Sequence, residues 1–214
     1  MSPEIFQVPL AAELVAAGLG GVQGALFAAG YRDRRLDVLG VMVIGIATSL
    51  GGSLLRDIVL NQPPVVIWRL WYLPTAAAGA LLGMLIGRVP RRVDGFLTVL
   101  DALVIGVFGA IGTSKALALG VPVVGAVLVG VIAAVGGSIV RDVMVSVPVS
   151  FLQIGSLYAV AAGIGAVTLV TLAALGVPIA LGGAIAVAVT ASVRLAAVAF
   201  GWRFPEQRSL RRAV

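Results

Sequence analysis

Apolar segments of about twenty residues recur along the whole chain, separated only by short breaks. Each is long enough to cross the hydrocarbon core of a bilayer as a helix. Of the 214 residues, 60% are hydrophobic and 11% are charged, whereas soluble domains are about one-quarter charged. Water is therefore a poor solvent for this chain, and the pattern predicts an all-α integral membrane protein.

Seven transmembrane helices are predicted from the positions of the breaks. They cover residues 7–30, 37–60, 65–87, 96–118, 121–146, 151–175 and 178–201. The breaks contain proline, glycine turns or clustered arginines, which end helices and mark loops. The N-terminus lacks the basic region of a cleavable signal peptide, so none is expected.

Arginine clusters predict the orientation of the chain. If seven helices cross, three clusters share one membrane face: residues 32–35, residues 88–92 and the tail from 203 to 212. Cytoplasmic loops are enriched in Lys and Arg. The N-terminus is therefore expected outside and the C-terminus in the cytoplasm.

The absence of two residue types excludes several kinds of function. The chain has no Cys and no His, so thiol chemistry, thiolate metal sites and a Ser-His-Asp triad are impossible. It also has no P-loop and no HExxH motif. We therefore expect a protein that is not an enzyme, has no metal and no cofactor, and does not bind nucleic acid.

An internal repeat appears when the chain is shifted by 85 residues. GGSLLRD at 51–57 then aligns with GGSIVRD at 136–142. Further glycines align in the same register, and Pro63 aligns with Pro148. Such matches at glycine, charged and proline positions are hard to obtain from an apolar composition alone.

Each repeat contains three helices, so the second copy begins on the opposite side of the membrane. This predicts two inverted repeats related by a pseudo-two-fold axis in the membrane plane, an arrangement typical of proteins that move solutes. The first repeat covers 1–90 and the second covers 91–175. Residues 176–214 hold the seventh helix and a cytoplasmic tail.

The glycine pairs Gly51–Gly52 and Gly136–Gly137 have two interpretations. Glycine weakens a helix, so the second and fifth helices are predicted to kink there and line a polar path, with Ser53 and Ser138 supplying local hydrogen bonds. Alternatively, the glycines only let helices pack closely. The charges that follow both pairs favour the kink.

The charges of the motif are Arg56, Asp57, Arg141 and Asp142. Adjacent helical residues point about 100° apart, so neither Arg–Asp step is expected to form a good pair with itself. Buried charge usually faces the bundle interior. One interpretation makes these residues cross-helix ion pairs, and the other makes the carboxylates cation-facing groups at the two mouths of a path.

Other polar residues are harder to place. Lys115 either snorkels to the surface or projects into the path beside Thr113 and Ser114. Arg194 is expected to snorkel, and Glu13 and Asp101 are expected near helix starts.

Glycine and aromatic residues predict further contacts. The stripe Gly79, Gly83 and Gly87 and the pair Gly20 and Gly24 predict close helix contacts, within or between subunits. Trp68, Trp71 and Tyr72 are typical of an interfacial belt.

The paired GGSxxRD motifs, each in the second helix of a three-helix inverted repeat, together with a seventh helix, resemble the trimeric intracellular cation (TRIC) channels. Within that family the chain looks more like the bacterial relatives, which are also labelled glycine-transporter-like membrane proteins. The similarity covers residues 10–200. It implies a homotrimer in a prokaryotic plasma membrane, with one pore per protomer between kinked helices.

Carried over residue by residue, the resemblance makes the two glycine pairs the kinks and Lys115 a pore-region lysine. The family motif usually reads GGG, and this chain has Ser53 or Ser138 at the third position. The implied function is a potassium-permeable monovalent cation channel, with K⁺ or Na⁺ and bound lipid as partners. A secondary transporter of a small zwitterion such as glycine is the alternative, because inverted repeats suit alternating access equally well.

Overall fold

The computed structural model describes residues 9–30, 36–87, 93–150 and 157–202, and short turns join the helices within these ranges. The helices are α1 (Leu10–Gly30), α2 (Val38–Val59), α3 (Val65–Trp68), α4 (Tyr72–Ile86), α5 (Val93–Ala118), α6 (Val123–Val145), α7 (Tyr158–Ala174) and α8 (Ile179–Ala199). Within the described ranges, α1, α2, α5, α6 and α8 are long and apolar enough to cross a membrane. The chain is thus an all-helical membrane protein.

The third predicted span is divided, which corrects the prediction of one helix over 65–87. The four-residue helix α3 follows Pro64, and the backbone at Arg69 is extended, so the helix ends there. The chain re-enters helix as α4, which has 15 residues. Helix α7, with 17 residues, is also short and apolar.

The helices pack as two groups of three. Helices α1, α2 and α4 contact one another, as do α5, α6 and α7. The two groups meet mainly where α2 packs against α6, and α8 packs against α5 and α7. The repeated helices that carry GGSxxRD therefore form the centre of the molecule.

The glycine stripe of α4 lies inside the protomer. A side chain at Gly79 would meet the carbonyl oxygen of Gly18, and one at Gly83 would meet that of Val22. Both glycines therefore let α4 approach the backbone of α1. The prediction of close helix contact is confirmed for these two positions, and the contact is within a subunit.

The aromatic cluster at the start of α4 is divided between two environments. Trp68 and Trp71 are exposed, as expected for an interfacial belt. Tyr72 is buried, which corrects its assignment to that belt. Its hydroxyl instead lies beside the carboxylate of Glu13 on α1.

Helix α2 begins with a side-chain cap that its repeat partner lacks. Asp37 Oδ1 accepts a hydrogen bond from Gly40 N at 2.7 Å, whereas α6 begins at Pro122 without a side-chain cap. We expect Asp37→Ala to lower the free energy of unfolding by about 1 kcal/mol, because one amide at the helix start loses its acceptor. Thermal denaturation in detergent measures this loss. Asp37→Ser is the control and should retain most of the stability, and equal losses in both variants would contradict the capping role.

Candidate functional site

The two glycine pairs lie at the contact between α2 and α6. A side chain at Gly52 would meet the carbonyl oxygen of Ala133, and one at Gly137 would meet that of Thr48. Because Thr48 and Ala133 are themselves 85 residues apart, the contact repeats in both directions. The two backbones therefore approach closely at this crossing, as the packing interpretation of the glycines requires.

Both helices continue through their glycine pairs without interruption, α2 from Val38 to Val59 and α6 from Val123 to Val145. The motif serines bond locally, as expected. Ser53 Oγ donates to the carbonyl oxygen of Leu50 at 2.8 Å, and Ser138 Oγ donates to that of Val135 at 2.7 Å. The structure thus shows the glycines as packing positions, and a kink at them stays a prediction.

A small cavity lies beside this crossing, with room for about one water molecule. Gly52 and Gly137, which are equivalent in the repeat, both border it. Its polar lining comes from five helices and consists of Gln23, Thr48, Asp101, Ser138 and Tyr158. The centre of the bundle therefore contains a small space with polar side chains in its lining.

Asp57 is the centre of a charged cluster at the end of α2. It is fully buried, and its Oδ1 atom accepts from Arg56 Nε at 2.7 Å and from Lys115 Nζ at 2.8 Å. Its Oδ2 atom accepts from Val65 N at 2.9 Å. Lys115 therefore projects inward to an ion pair, and the snorkelling interpretation is wrong.

The prediction that adjacent Arg and Asp cannot pair is also wrong. Arg56 bonds Asp57 in the first repeat, and in the second repeat Arg141 Nε likewise bonds Asp142 Oδ1, at 2.9 Å. The arginine side chain is long enough to reach around the helix to the neighbouring carboxylate. Because the arginine is buried, no water competes for its hydrogen bonds. Asp142 Oδ2 accepts from Ser150 N at 2.7 Å, which repeats the bond from Asp57 to Val65.

The two arginines differ in their other neighbours. The Arg56 guanidinium lies 3.7 Å from a carboxylate oxygen of Glu13, which is in the first turn of α1, as expected, but is buried. Its Nη2 atom is buried and has no hydrogen-bond partner among the residues that the structure describes. The Arg141 guanidinium lies 3.6 Å from the centre of the Phe27 ring, an attractive cation–π geometry.

A second cluster surrounds Asp101. Asp101 Oδ1 accepts from Gln23 Nε2 at 2.5 Å and from the Tyr158 hydroxyl. Arg194 Nε lies 3.4 Å from Asp101 Oδ2, and its guanidinium lies 4.2 Å from the centre of the Tyr158 ring. The predictions that Asp101 lies near a helix start and that Arg194 snorkels are therefore wrong, since Asp101 lies about two turns into α5 and both residues are buried and paired.

Thr113 and Ser114 are not among the described residues that line the cavity. Thr113 Oγ1 is buried and donates to the carbonyl oxygen of Gly109 at 2.9 Å. Ser114 borders an apolar groove between α1, α5 and α8. Their prediction as polar residues of the path is not supported by these positions.

Sequence reasoning missed the residues that surround Asp101. Gln23 and Arg194 are polar residues well inside apolar segments, and such residues usually face a bundle interior. The predicted boundary at 96 puts Asp101 close to the helix start. In the structure α5 begins earlier, at Val93, so Asp101 lies deeper in the helix. The depth of each polar residue within its helix is the signal that could have found them.

The chain matches a known family over most of its length. The family model described as Glycine transporter matches residues 10–88 and 98–174. The UPF0126 inner membrane protein YadS of Escherichia coli K12 is 32% identical over 200 residues, which are 90% of this chain and 93% of that protein. A UPF0126 membrane protein of Deinococcus radiodurans is 36% identical over 62% of this chain and 63% of that protein.

Solved structures share the fold. A TRIC trimeric intracellular cation channel orthologue from Rhodobacter sphaeroides has 28% identity and a TM-score of 0.82, over 90% of this chain and 98% of that chain. A second structure, described under conductance through TRIC cation channels, also has 28% identity and a TM-score of 0.82, over 94% of this chain and 98% of that chain. A prokaryotic TRIC channel in 0.5 M KCl, at 22% identity and a TM-score of 0.79, shares the fold.

These similarities confirm the resemblance first seen in the paired motifs. The match covers both repeats, and the aligned structures extend over the helices that carry the glycine pairs and the buried charges. The chain therefore belongs to the membrane-protein family described as Glycine transporter, together with the bacterial UPF0126 proteins, and it is a prokaryotic-type member of the TRIC channel group.

Proposed function

We propose that this protein is a cation channel in which potassium and other monovalent cations cross each protomer between α2 and α6. The observation that carries the proposal is the polar cavity at the crossing of the two repeated helices, with buried ion pairs at the ends of both. Charge inside a membrane protein is expensive and usually marks an ion pathway. The likeness to TRIC cation channels supports the same function.

Conduction requires α2 and α6 to move relative to each other. The cavity has room for about one water molecule, which is too little for an ion that keeps most of its hydration shell. The glycine pairs contribute no side chains of their own to this crossing, so we propose that α2 and α6 move apart there when the path opens. The buried Arg56 Nη2 atom has no hydrogen-bond partner within the described part of the chain, and water entering an open path would supply one.

We propose that selectivity among monovalent cations is weak. The chain has no TVGYG-type carbonyl ladder, and the polar groups around the cavity are side chains. We also propose that permeation needs no cofactor, because the ion gradient alone drives the flux.

The assembly proposed is a homotrimer with seven membrane crossings per subunit in a prokaryotic plasma membrane. The trimer is supported by the TRIC orthologue, which is described as trimeric. The short helices α4 and α7 would cross together with the five longer ones. An outside N-terminus and a cytoplasmic C-terminus follow from the arginine clusters.

Reconstitution into planar bilayers with asymmetric KCl tests the proposal. We expect gradient-driven current whose reversal potential lies close to the equilibrium potential of K⁺. A reversal potential near that of Cl⁻, or strict exclusion of Na⁺, would contradict it.

The description of the family model favours a second candidate, a carrier of a small zwitterion such as glycine. A carrier would show saturable uptake and exchange of labelled glycine in proteoliposomes. A channel would instead pass cation current without any zwitterion. Glycine exchange without such current would establish the carrier.

A further inference from the structure

The carboxylate of Asp101 occupies a special position beside the central cavity. It comes from α5, is nine-tenths or more buried, and borders the space between the two glycine helices. Among the described residues that line the cavity, Asp101 supplies the one carboxylate. A negative charge at this depth attracts a cation strongly, because the surrounding dielectric constant is low.

Asp101 breaks the internal symmetry of the protein. Its counterpart in the first repeat, 85 residues earlier, is Ala16. The cavity is therefore bordered by equivalent glycines from both repeats but by a carboxylate from one repeat alone. Arg141 of the second motif acts electrostatically on Asp101, but the repeat itself does not place a carboxylate at this position, so its presence needs a separate explanation.

The cation in contact with Asp101 comes from α8, the helix outside the repeat, and Arg141 on α6 adds a more distant positive charge. Arg194 Nε lies 3.4 Å from Asp101 Oδ2, whereas the motif pairs Arg56–Asp57 and Arg141–Asp142 are 2.7 and 2.9 Å apart. Charge-assisted hydrogen bonds are typically about 2.7–2.9 Å long. The Arg194 contact is thus the longer one, and the Tyr158 ring holds the guanidinium in place beside it.

Oxygen atoms that can accept further contacts surround the same space. The hydroxyls of Thr48 and Ser138 donate their hydrogens to backbone carbonyls of their own helices, which leaves lone pairs free. Oxygen ligands suit hard cations. With one carboxylate in the described lining and room for about one water molecule, the site matches a monovalent cation better than a divalent one.

We propose that Asp101 is the cation-binding carboxylate of the central cavity and that Arg194 on α8 is a tethered counter-ion that competes with the bound cation. This inference rests on the proposed channel function and adds a way in which α8 would regulate cation binding in the path. When a cation occupies the cavity, it replaces the charge of Arg194 at Asp101. Movement of α8 would then change the affinity of the path for cations.

Thermal stability of the purified protein tests this site without requiring current. Denaturation is measured in KCl and in N-methyl-D-glucamine chloride at equal ionic strength, for the wild type, Arg194→Gln, Asp101→Asn and the double variant. We expect Arg194→Gln to reach half-maximal stabilisation at a K⁺ concentration about tenfold lower than the wild type needs, because the competing charge is gone. Arg194→Lys is the matched control and should respond as the wild type does.

Asp101→Asn should be as stable in KCl as in N-methyl-D-glucamine chloride, because its K⁺ site is gone. The same should hold for the double variant. Identical K⁺ responses in Arg194→Gln and the wild type would overturn the inference, as would a K⁺ response that survives in the double variant. If Arg194→Gln folds poorly, the double variant leaves no unpaired buried charge and still decides whether Asp101 is the K⁺ site.

Bilayer recordings of the same variants separate this inference from the channel function. We expect Arg194→Gln to carry several-fold more cation current at low KCl, and Asp101→Asn to lose selectivity for K⁺ over Cl⁻. If the wild type passes no cation current but the stability pattern holds, the channel proposal fails and the cation site stands. If the wild type conducts but Arg194→Gln leaves both K⁺ affinity and current unchanged, the counter-ion role fails alone.

Discussion

Gly52→Ala combined with Gly137→Ala is expected to lower the free energy of unfolding by about 3 kcal/mol or more. Each added methyl group would meet a backbone carbonyl oxygen, that of Ala133 or that of Thr48. A backbone atom cannot rotate away as a side chain can, so α2 and α6 must separate and lose contact along their length. Thermal or denaturant unfolding of the purified protein in detergent measures the loss.

Two controls make this prediction specific. Gly51→Ala should cost less, because the added group would chiefly meet the side chain of Val140, 3.0 Å away, which can shift. Gly183→Ala on α8 meets nothing within 4 Å, so it should leave stability unchanged or raise it by about 0.5–1 kcal/mol. If the double variant were as stable as Gly183→Ala, the close crossing of α2 and α6 would be refuted.

Asp57→Asn is expected to lower the free energy of unfolding by about 3–5 kcal/mol. Asp57 is fully buried and accepts from the cationic groups of Arg56 and Lys115. Its neutral replacement leaves the buried Arg56 guanidinium and the partly buried Lys115 ammonium group near each other with less compensating negative charge. Removing one partner of a buried ion pair is strongly destabilising. Chemical denaturation of the variant and the wild type in the same detergent gives the difference.

The second repeat provides the matched control for this variant. Asp142→Asn should cost less, because among the described residues Arg141 is the one cation paired with Asp142, and the Arg141 guanidinium also contacts the Phe27 ring. Adding Lys115→Met to Asp57→Asn should recover part of the stability by removing the second cation. Equal losses at positions 57 and 142, with no recovery by Lys115→Met, would show that Lys115 contributes nothing to the cluster.

Much of the architecture could be predicted from the sequence because its causes are local or periodic. The length of each apolar segment determines whether it can cross a bilayer, and proline and glycine mark where helices end. The repeat at 85 residues correctly indicated that α2 and α6 are equivalent helices. The bonds from Asp57 and Asp142 to backbone amides eight residues later repeat in the structure with the same offset.

Partners of buried charged groups could not be predicted in this way. Arg56 bonds its neighbour Asp57, and Lys115 reaches the same carboxylate from 58 positions away. Which acceptor a long side chain takes depends on which groups other helices bring within about 3 Å and on how little water remains there. The angle between adjacent residues on one helix determines neither which groups other helices bring close nor how much water remains.

The sequence alone therefore determined the membrane class, most of the helices, the internal repeat and the importance of GGSxxRD, because these follow from hydropathy, helix-ending residues and register. The tertiary structure alone decided that the glycines are packing positions between α2 and α6, that Lys115 points inward, and that Asp101, Gln23, Tyr158 and Arg194 meet beside one cavity. These residues come from four different helices, and only the packing of those helices brings their side chains within bonding distance.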